Sequence, residues 1–385
     1  MADPMAKGPC DGVRVIEIAR YVAAPFCGQL LADLGADVIK IEDPGGDLMR
    51  NAAGYKGLAA SFEQFNRGKR SFVADLRTPQ GVDAVRRLID SADIVLENYR
   101  PGVLEKMGLG YESLRVTNPR LIYLKVSGYG ESGPKADQPV FDQVIQGVVG
   151  FMPVQGEDGP AKAINTYVVD KVTAIFTSHA ALAALLHRER TGEGQKVSTN
   201  LLDSYAAYML PEMLNPYTFA EVEPPARGGV NMFRALSTAD GQVIGLLLLD
   251  NHYRGFCKAI GRDDLIDDPR FAGFAARVPN LELLYKTVAA DVGRMTTADF
   301  IARAVAQDLP FSKVNDVVDL MQDPQARHNE TVVEIEDPEF GVIRHANHPA
   351  TFERSPANAK RRAPKLGEHT DELLAELQQR AAAAE

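Results

Sequence analysis

The sequence predicts an α/β protein, with a doubly wound large domain over residues 1–215 and a smaller α+β domain over residues 230–329. Three observations carry this. Through the first half, short β-branched runs alternate with helically spaced apolar residues, the rhythm of parallel strands joined by crossover helices. A stretch holding Pro216, Pro224, Pro225, Gly228 and Gly229 then reads as a linker over 216–229. Beyond it the pattern changes to a hairpin and amphipathic helices. The 385 residues also exceed what one ordinary core holds, so two lobes are the default. Residues 330–385 are expected to return to the large domain and end in a charged helix.

Val13-Arg14-Val15-Ile16-Glu17-Ile18 is the first strand. Pro25 can open a helix, Phe26, Leu30, Leu31 and Leu34 fall at helical spacing, and Gly35 stops it. Val38 to Ile41 is the next strand, and a crossover of this length implies a parallel pair. Ser71 to Leu76, a helix opened by Thr78-Pro79 and the strand Asp93 to Glu97 repeat the unit, and Leu121 to Val126 adds a strand. From Lys171 to Arg188, the residues Val172, Ile175, Phe176, His179, Leu182, Ala183 and Leu186 mark an amphipathic helix, with His179 a hydrogen-bonded core residue. Leu201 to Met213 forms another. In the small domain, Phe233 to Leu249 reads as a hairpin turning at Asp240-Gly241, with Val243 to Leu249 a buried strand. Helices follow at Tyr253 to Ile260, Leu281 to Val292 and Thr297 to Gln307.

The formal charge is -10, from 42 basic and 52 acidic residues, which disfavours nucleic acid or an anionic membrane as partner. A small polyanion needs only a local cluster of Lys and Arg. Cys10, Cys27 and Cys257 show no CxxC spacing and read as reduced thiols of a cytoplasmic protein. His345 and His348 lack a third ligand at metal spacing, so no metal is expected. Asp263-Asp264 and Asp267-Asp268 read as a solvated loop. Met1 to Pro9 has no signal core, and no run reaches the ~18 apolar residues of a membrane span.

A strand, turn and helix with Glu42 ending the second strand imitate a dinucleotide-binding unit. The turn Ala19-Arg20-Tyr21-Val22-Ala23-Ala24-Pro25 has no glycine, however, so side chains bar a pyrophosphate from its backbone. The fold is expected to be Rossmann-like without NAD, and the NAD-dependent dehydrogenase reading is set aside. Asp170 lies where a mixed run meets the apolar helix. It reads either as that helix's N-cap or as a carboxylate held dry for chemistry, and spacing alone leaves both open.

An ordered series of motifs separates them. It runs through Ala24-Pro25, Leu31-Ala32-Asp33-Leu34-Gly35-Ala36-Asp37-Val38-Ile39-Lys40-Ile41-Glu42 and Gly46-Asp47-Leu48-Met49-Arg50. Asn66-Arg67-Gly68-Lys69-Arg70-Ser71 and Glu97-Asn98-Tyr99-Arg100-Pro101-Gly102 follow, then Ser127-Gly128-Tyr129-Gly130. Asp170, Arg190-Thr191-Gly192-Glu193-Gly194-Gln195-Lys196-Val197 and Leu366-Gly367-Glu368-His369-Thr370 complete it. Nearly end to end, the chain resembles the family III CoA-transferases, such as formyl-CoA and carnitine CoA-transferases. The resemblance implies an acyl-CoA:carboxylate CoA-transferase, an interlocked homodimer, coenzyme A as substrate and no tightly bound cofactor. It makes Asp170 the nucleophile, carrying an aspartyl anhydride and then an aspartyl-CoA thioester. It sets Asn98, Tyr99, Tyr21, Val22 and Ala23 beside the CoA arm and Lys106 at the CoA phosphates, with Arg50, Lys69 and Arg70 as further cations for the nucleotide end. Ser127 to Lys135 and Gly228-Gly229 would be lids, and the small domain would choose the acid. Formyl-CoA transferases carry a glutamine where this chain has Val22 and a lysine where it has Pro139, which tells against oxalate and formate as substrates but not against the chemistry. The related α-methylacyl-CoA racemases pair a histidine with the aspartate; it would fall at Phe141, which cannot move a proton.

Overall fold

The computed structural model describes residues 8–156, 159–223, 234–357 and 361–384. The chain divides into two compact units, Met1–Asn215 with His328–Glu385, and Pro216–Arg327.

The first unit is built on six strands: β1 (Arg14–Ile18), β2 (Asp37–Glu42), β3 (Arg70–Val73), β4 (Ile94–Glu97), β5 (Ile122–Ser127) and β6 (Lys196–Asn200). They lie in the order β3-β2-β1-β4-β5-β6, every pair parallel. The chain moves outward from β1 to β3, then returns to the other side of β1 and moves outward again. The order therefore switches between β1 and β4, and the crevice past their carboxyl ends is where open α/β sheets take ligands.

The longer helices packed on this sheet include α1 (Ala23–Asp33), α2 (Pro79–Ile89), α3 (Asp142–Val149), α4 (Val168–Thr191) and α5 (Leu201–Met213). Thr78 caps α2 by accepting the Gly81 N–H at 3.1 Å, with Pro79 in the first turn where it lacks no needed donor. Val15, Val38, Leu96 and Leu124 on one sheet face pack with Leu31 of α1, Ala174 and Ala181 of α4 and Tyr205 of α5. Ile16, Ile39, Val95 and Tyr123 on the other face pack with Leu88 of α2. With both faces covered, the strands read as continuous apolar runs.

Contrary to the sequence reading, α4 turns small residues inward and large ones outward. Thr173, Ala174, Thr177, Ala181 and Ala184 are buried, whereas Ile175 is 55% exposed and Phe176, His179, Leu182 and Leu186 also lie on the surface. Small side chains let α4 lie close on α1, so Ile175, Phe176, His179, Leu182 and Leu186 leave the core, while Val169 and Val172 stay buried. This helix alone among the described residues has the length and apolarity of a membrane span, but it carries Asp170 and the buried Arg188, which pairs with Asp93.

The Arg190-to-Val197 motif proves to be turn geometry. Gly192 ends α4 in the left-handed region (φ 81°), which glycine adopts without penalty. Gly194 donates to Pro119 O at 2.9 Å, and a Cβ there would fall 2.2 Å from Leu121 O. Gly194→Ala is expected to force β6 off β5 and lower stability by about 1–3 kcal/mol, read as the midpoint shift in urea unfolding.

The second unit carries a three-stranded antiparallel sheet of β7 (Leu236–Ser237), β8 (Gln242–Gly245) and β9 (Phe311–Lys313), with β8 central. The Asp240-Gly241 turn is present, Thr238 donating to Gly241 O at 2.9 Å. The strand expected to reach Leu249 stops at Gly245, because α6 (Asp250–Ile260) follows; β9 arrives from far along the chain and left no local signal. Phe256, Phe300 and Phe311 stack at the core beside α7 (Leu281–Gly293) and α8 (Thr297–Ala306). Phe233 and Gly228-Gly229 lie outside the described residues.

The returning segment belongs to the first unit. The hairpin β10 (Val332–Asp337) and β11 (Gly341–Ala346) buries His345, whose Nε2 meets Glu63 at 2.7 Å, while His348 turns to the Ala350 backbone. The last helix, α9 (Thr370–Ala384), adds Leu373 and Leu377 to the second core face. All three cysteines are free and buried, and burial pushes each thiol pKa upward.

Candidate active site

Helix α4 begins at Val168, so Asp170 sits in its first turn and not at its cap. Tyr167 occupies the cap position and contributes no side-chain bond. The capping acceptor comes instead from Asp142, the 1% exposed first residue of α3. Its Oδ2 accepts the N–H groups of Val169 at 2.8 Å and Asp170 at 3.1 Å. Its Oδ1 accepts from Gln146 Nε2 at 2.6 Å, and Gln146 Oε1 takes the Ile164 N–H at 2.8 Å. With capping done from outside, the half-buried Asp170 carboxylate accepts no hydrogen bond among the described residues. Its pKa is pushed up to about 7, first by burial and then by the Asp142 charge. Near neutral pH it is therefore partly ionised and, among the described residues, free of a hydrogen-bond donor, and its ionised form could serve as an oxygen nucleophile. Sequence reading missed Asp142. An acid opening a helix was visible, but its partner amides lie 27 and 28 residues away.

The turn after β1, Ala19 to Pro25, forms one wall of the switch crevice. Tyr21 is held in the left-handed region (φ 68°), sparsely populated for an aromatic residue. Val22 and Ala23 are buried, and Ala23 and Ala24 open α1, where first-turn N–H groups have no intrahelical acceptor. The Tyr21 ring meets Phe141, the neighbour of Asp142, edge to face at 5.7 Å. The turn and the Asp170 end of α4 are thereby brought together. Asn98, after β4, reaches across the crevice: its Oδ1 accepts the Arg20 N–H at 3.1 Å and its Nδ2 donates to Arg20 O at 2.8 Å. Both amide atoms are thus engaged with backbone. Tyr99 lies under the Arg20 guanidinium, 5.7 Å from ring centre to carbon, and Arg20 also pairs with Asp43.

Three expected phosphate cations require correction. Lys69 is wholly buried, on Glu17 at 2.7 Å, Pro25 O at 2.7 Å and Asn66 Oδ1 at 2.8 Å. Arg50 grips Glu42 through two nitrogens, donates to Pro364 O and stacks on Phe62 at 3.7 Å. Arg70 is shared by Asp37, Glu372 and Glu376. Each is bound into a structural ion network and offers no free charge to a ligand. Lys106 differs, standing exposed at the end of the single turn Val103–Lys106 with no acidic partner among the described residues.

Comparison with known proteins agrees with the motif series. The pattern of CoA-transferase family III matches residues 10–370. The chain is 38% identical over 97% of its length to a succinate–glutarate CoA-transferase of Agrobacterium fabrum, 97% of which is covered. It is 35% identical over 98% of its length to a succinyl-CoA–D-citramalate CoA-transferase of Chloroflexus aurantiacus, covering 96% of that protein. The crystal structure of a CAIB/BAIF family protein from Brucella suis superposes with a TM-score of 0.86 at 35% identity, over 96% of this chain and 100% of that one. With motifs, fold and relatives in agreement over almost its full length, the chain belongs to CoA-transferase family III.

Proposed function

We propose that this enzyme moves CoA from succinyl-CoA to a second dicarboxylic acid, with Asp170 as covalent carrier. The observation that carries the reading is the Asp170 carboxylate itself: desolvated, unpaired, and relieved of capping by Asp142. Asp170 attacks the donor thioester carbonyl, the CoA thiolate leaves, and an acyl-aspartyl anhydride forms. The thiolate then attacks the aspartyl carbonyl, releasing the donor acid and leaving an aspartyl-CoA thioester. The acceptor carboxylate attacks that thioester, and the same steps in reverse deliver its CoA ester. A carboxylate suits the exchange because the anhydride keeps the activation of the thioester, which a serine ester would discard. Water must be kept out, and Ser127 to Lys135 is the described segment suited to a lid.

On this reading Tyr21, Val22, Ala23 and Tyr99 border the pantetheine arm, Asn98 shapes its wall, and Lys106 meets a CoA phosphate. The named activities of the similar proteins support succinyl-CoA as donor and a dicarboxylate as acceptor. The large unit acts as a doubly wound, Rossmann-like CoA-binding domain, and the small unit chooses the acid. The outward apolar stripe of α4 suits burial in an interlocked homodimer.

The test is covalent trapping. Brief incubation with succinyl-CoA, acid quench and proteolysis should yield a CoA adduct on the peptide holding Asp170. Transfer of CoA to glutarate with that peptide unmodified and hydroxylamine-resistant would overturn the assignment.

A further inference from the structure

Two strands flank the switch crevice, and each carries the same buried device. In β1, Glu17 lies opposite Lys40 of β2; in β4, Glu97 lies opposite Lys125 of β5. Lys40 Nζ meets Glu17 Oε1 at 2.9 Å and donates to Ala19 O at 2.8 Å. Lys125 Nζ meets Glu97 Oε1 at 2.5 Å and donates to Tyr99 O at 2.8 Å. In both cases a lysine from the neighbouring strand binds a strand glutamate together with the carbonyl two residues further on. These side chains are at most 1% exposed. Ile18 is the register partner of Glu97, so the glutamates point to opposite faces of the sheet. One clamp therefore closes the top of each core.

A buried ion pair is a poor device for stability alone, since apolar residues of the same volume often serve as well or better. Its cost here coincides with a need. Ala19 O and Tyr99 O lie just past the strand ends, outside the sheet ladder, where a dry carbonyl requires a donor. The further contacts are of the same kind. Lys69 shares Glu17 and holds Pro25 O, Glu97 Oε2 accepts the Tyr99 N–H at 2.7 Å, and Asn98 ties Arg20 across the gap. The left-handed Tyr21 sits within this frame, and such a conformation persists only where its surroundings over-determine it.

We propose that Glu17–Lys40 and Glu97–Lys125 are twin positioning clamps that hold the Ala19–Pro25 and Asn98–Gly102 turns in substrate-receiving shape before CoA arrives. The inference rests on the CoA-transfer reading for its ligand but not for its geometry. The double variant Glu97→Gln with Lys125→Met keeps volume and the acceptor for the Tyr99 N–H while removing the clamp. Its KM for acyl-CoA is expected to rise roughly tenfold or more, through lost preorganisation, with kcat changed less than about threefold. A purely structural pair would leave KM unchanged and scale kcat to the folded fraction seen by circular dichroism; that outcome overturns the proposal. Hydrogen exchange on the unliganded wild type decides the matter even if the variant does not fold. The Arg20 and Tyr99 amides should exchange as slowly as strand amides. Exchange at loop rates, slowed only on adding CoA, would overturn it. Failure of the wild type to bind CoA at all would instead retire the transfer reading and leave the exchange result standing.

Discussion

Asp170→Asn is expected to lower CoA transfer by about ten-thousandfold or more, because on the proposed mechanism it removes the oxygen nucleophile that takes up the acyl group. The same change should stabilise the protein at pH 8. The folded-state pKa is about 7, above the ~3.9 of an unfolded aspartate. Between those values the native state keeps a proton that the unfolded state has lost, so stability falls as pH rises from about 4 to about 7. Above pH 7 the full penalty of a dry charge is present, and the neutral amide escapes it. The expected gain is ~1–4 kcal/mol at pH 8, shrinking toward zero at pH 4. Paired unfolding curves of wild type and variant at the two pH values check the sign. An equal difference at both would refute the buried-charge account, whatever the activity.

Asp142 tests the same site from its other side, because it both caps α4 and repels the Asp170 charge. Asp142→Asn keeps an acceptor for the helix end but removes the like charge. The acid limb of kcat/KM, expected near pH 7 in the wild type, should move to lower pH with little loss of stability. Asp142→Ala removes the cap as well. Its expected cost is ~1–2 kcal/mol of stability, with roughly a hundredfold loss of rate as the first turn of α4 shifts under Asp170. Rate profiles between pH 5 and 9 separate the two variants. If both moved the limb equally and neither lost stability, Asp142 would act by charge alone.

Many strands and helices of the large unit were legible because they declare themselves locally through β-branched runs, Thr78-Pro79 or Gly35, whereas α3, which carries Asp142, was not read. Asp170 was singled out by its motif series, although not by spacing. The charges were harder. Lys69 and Arg70 beside a family motif looked like ligand cations, yet acids from other elements reach them: Glu17 from β1, Asp37 from β2, Glu372 and Glu376 from α9. The missed signal was the reverse one, charged residues set among the apolar residues of the strands: Glu17, Lys40, Glu97 and Lys125. A charge placed there must be paired, and the pairing consumes whatever cations lie near. The facing of α4 was misread because both of its sides are apolar; side-chain size, not hydrophobicity, separates the buried face from the exposed one.

The concealment of Cys10, Cys27 and Cys257 makes the chemistry easier to watch. Their protonated, inaccessible sulfurs give a colorimetric disulfide reagent nothing to react with in the native enzyme. Any thiol detected during turnover with an acyl-CoA must then be coenzyme set free by hydrolysis, so the slow appearance of colour measures how often water breaches the reaction chamber.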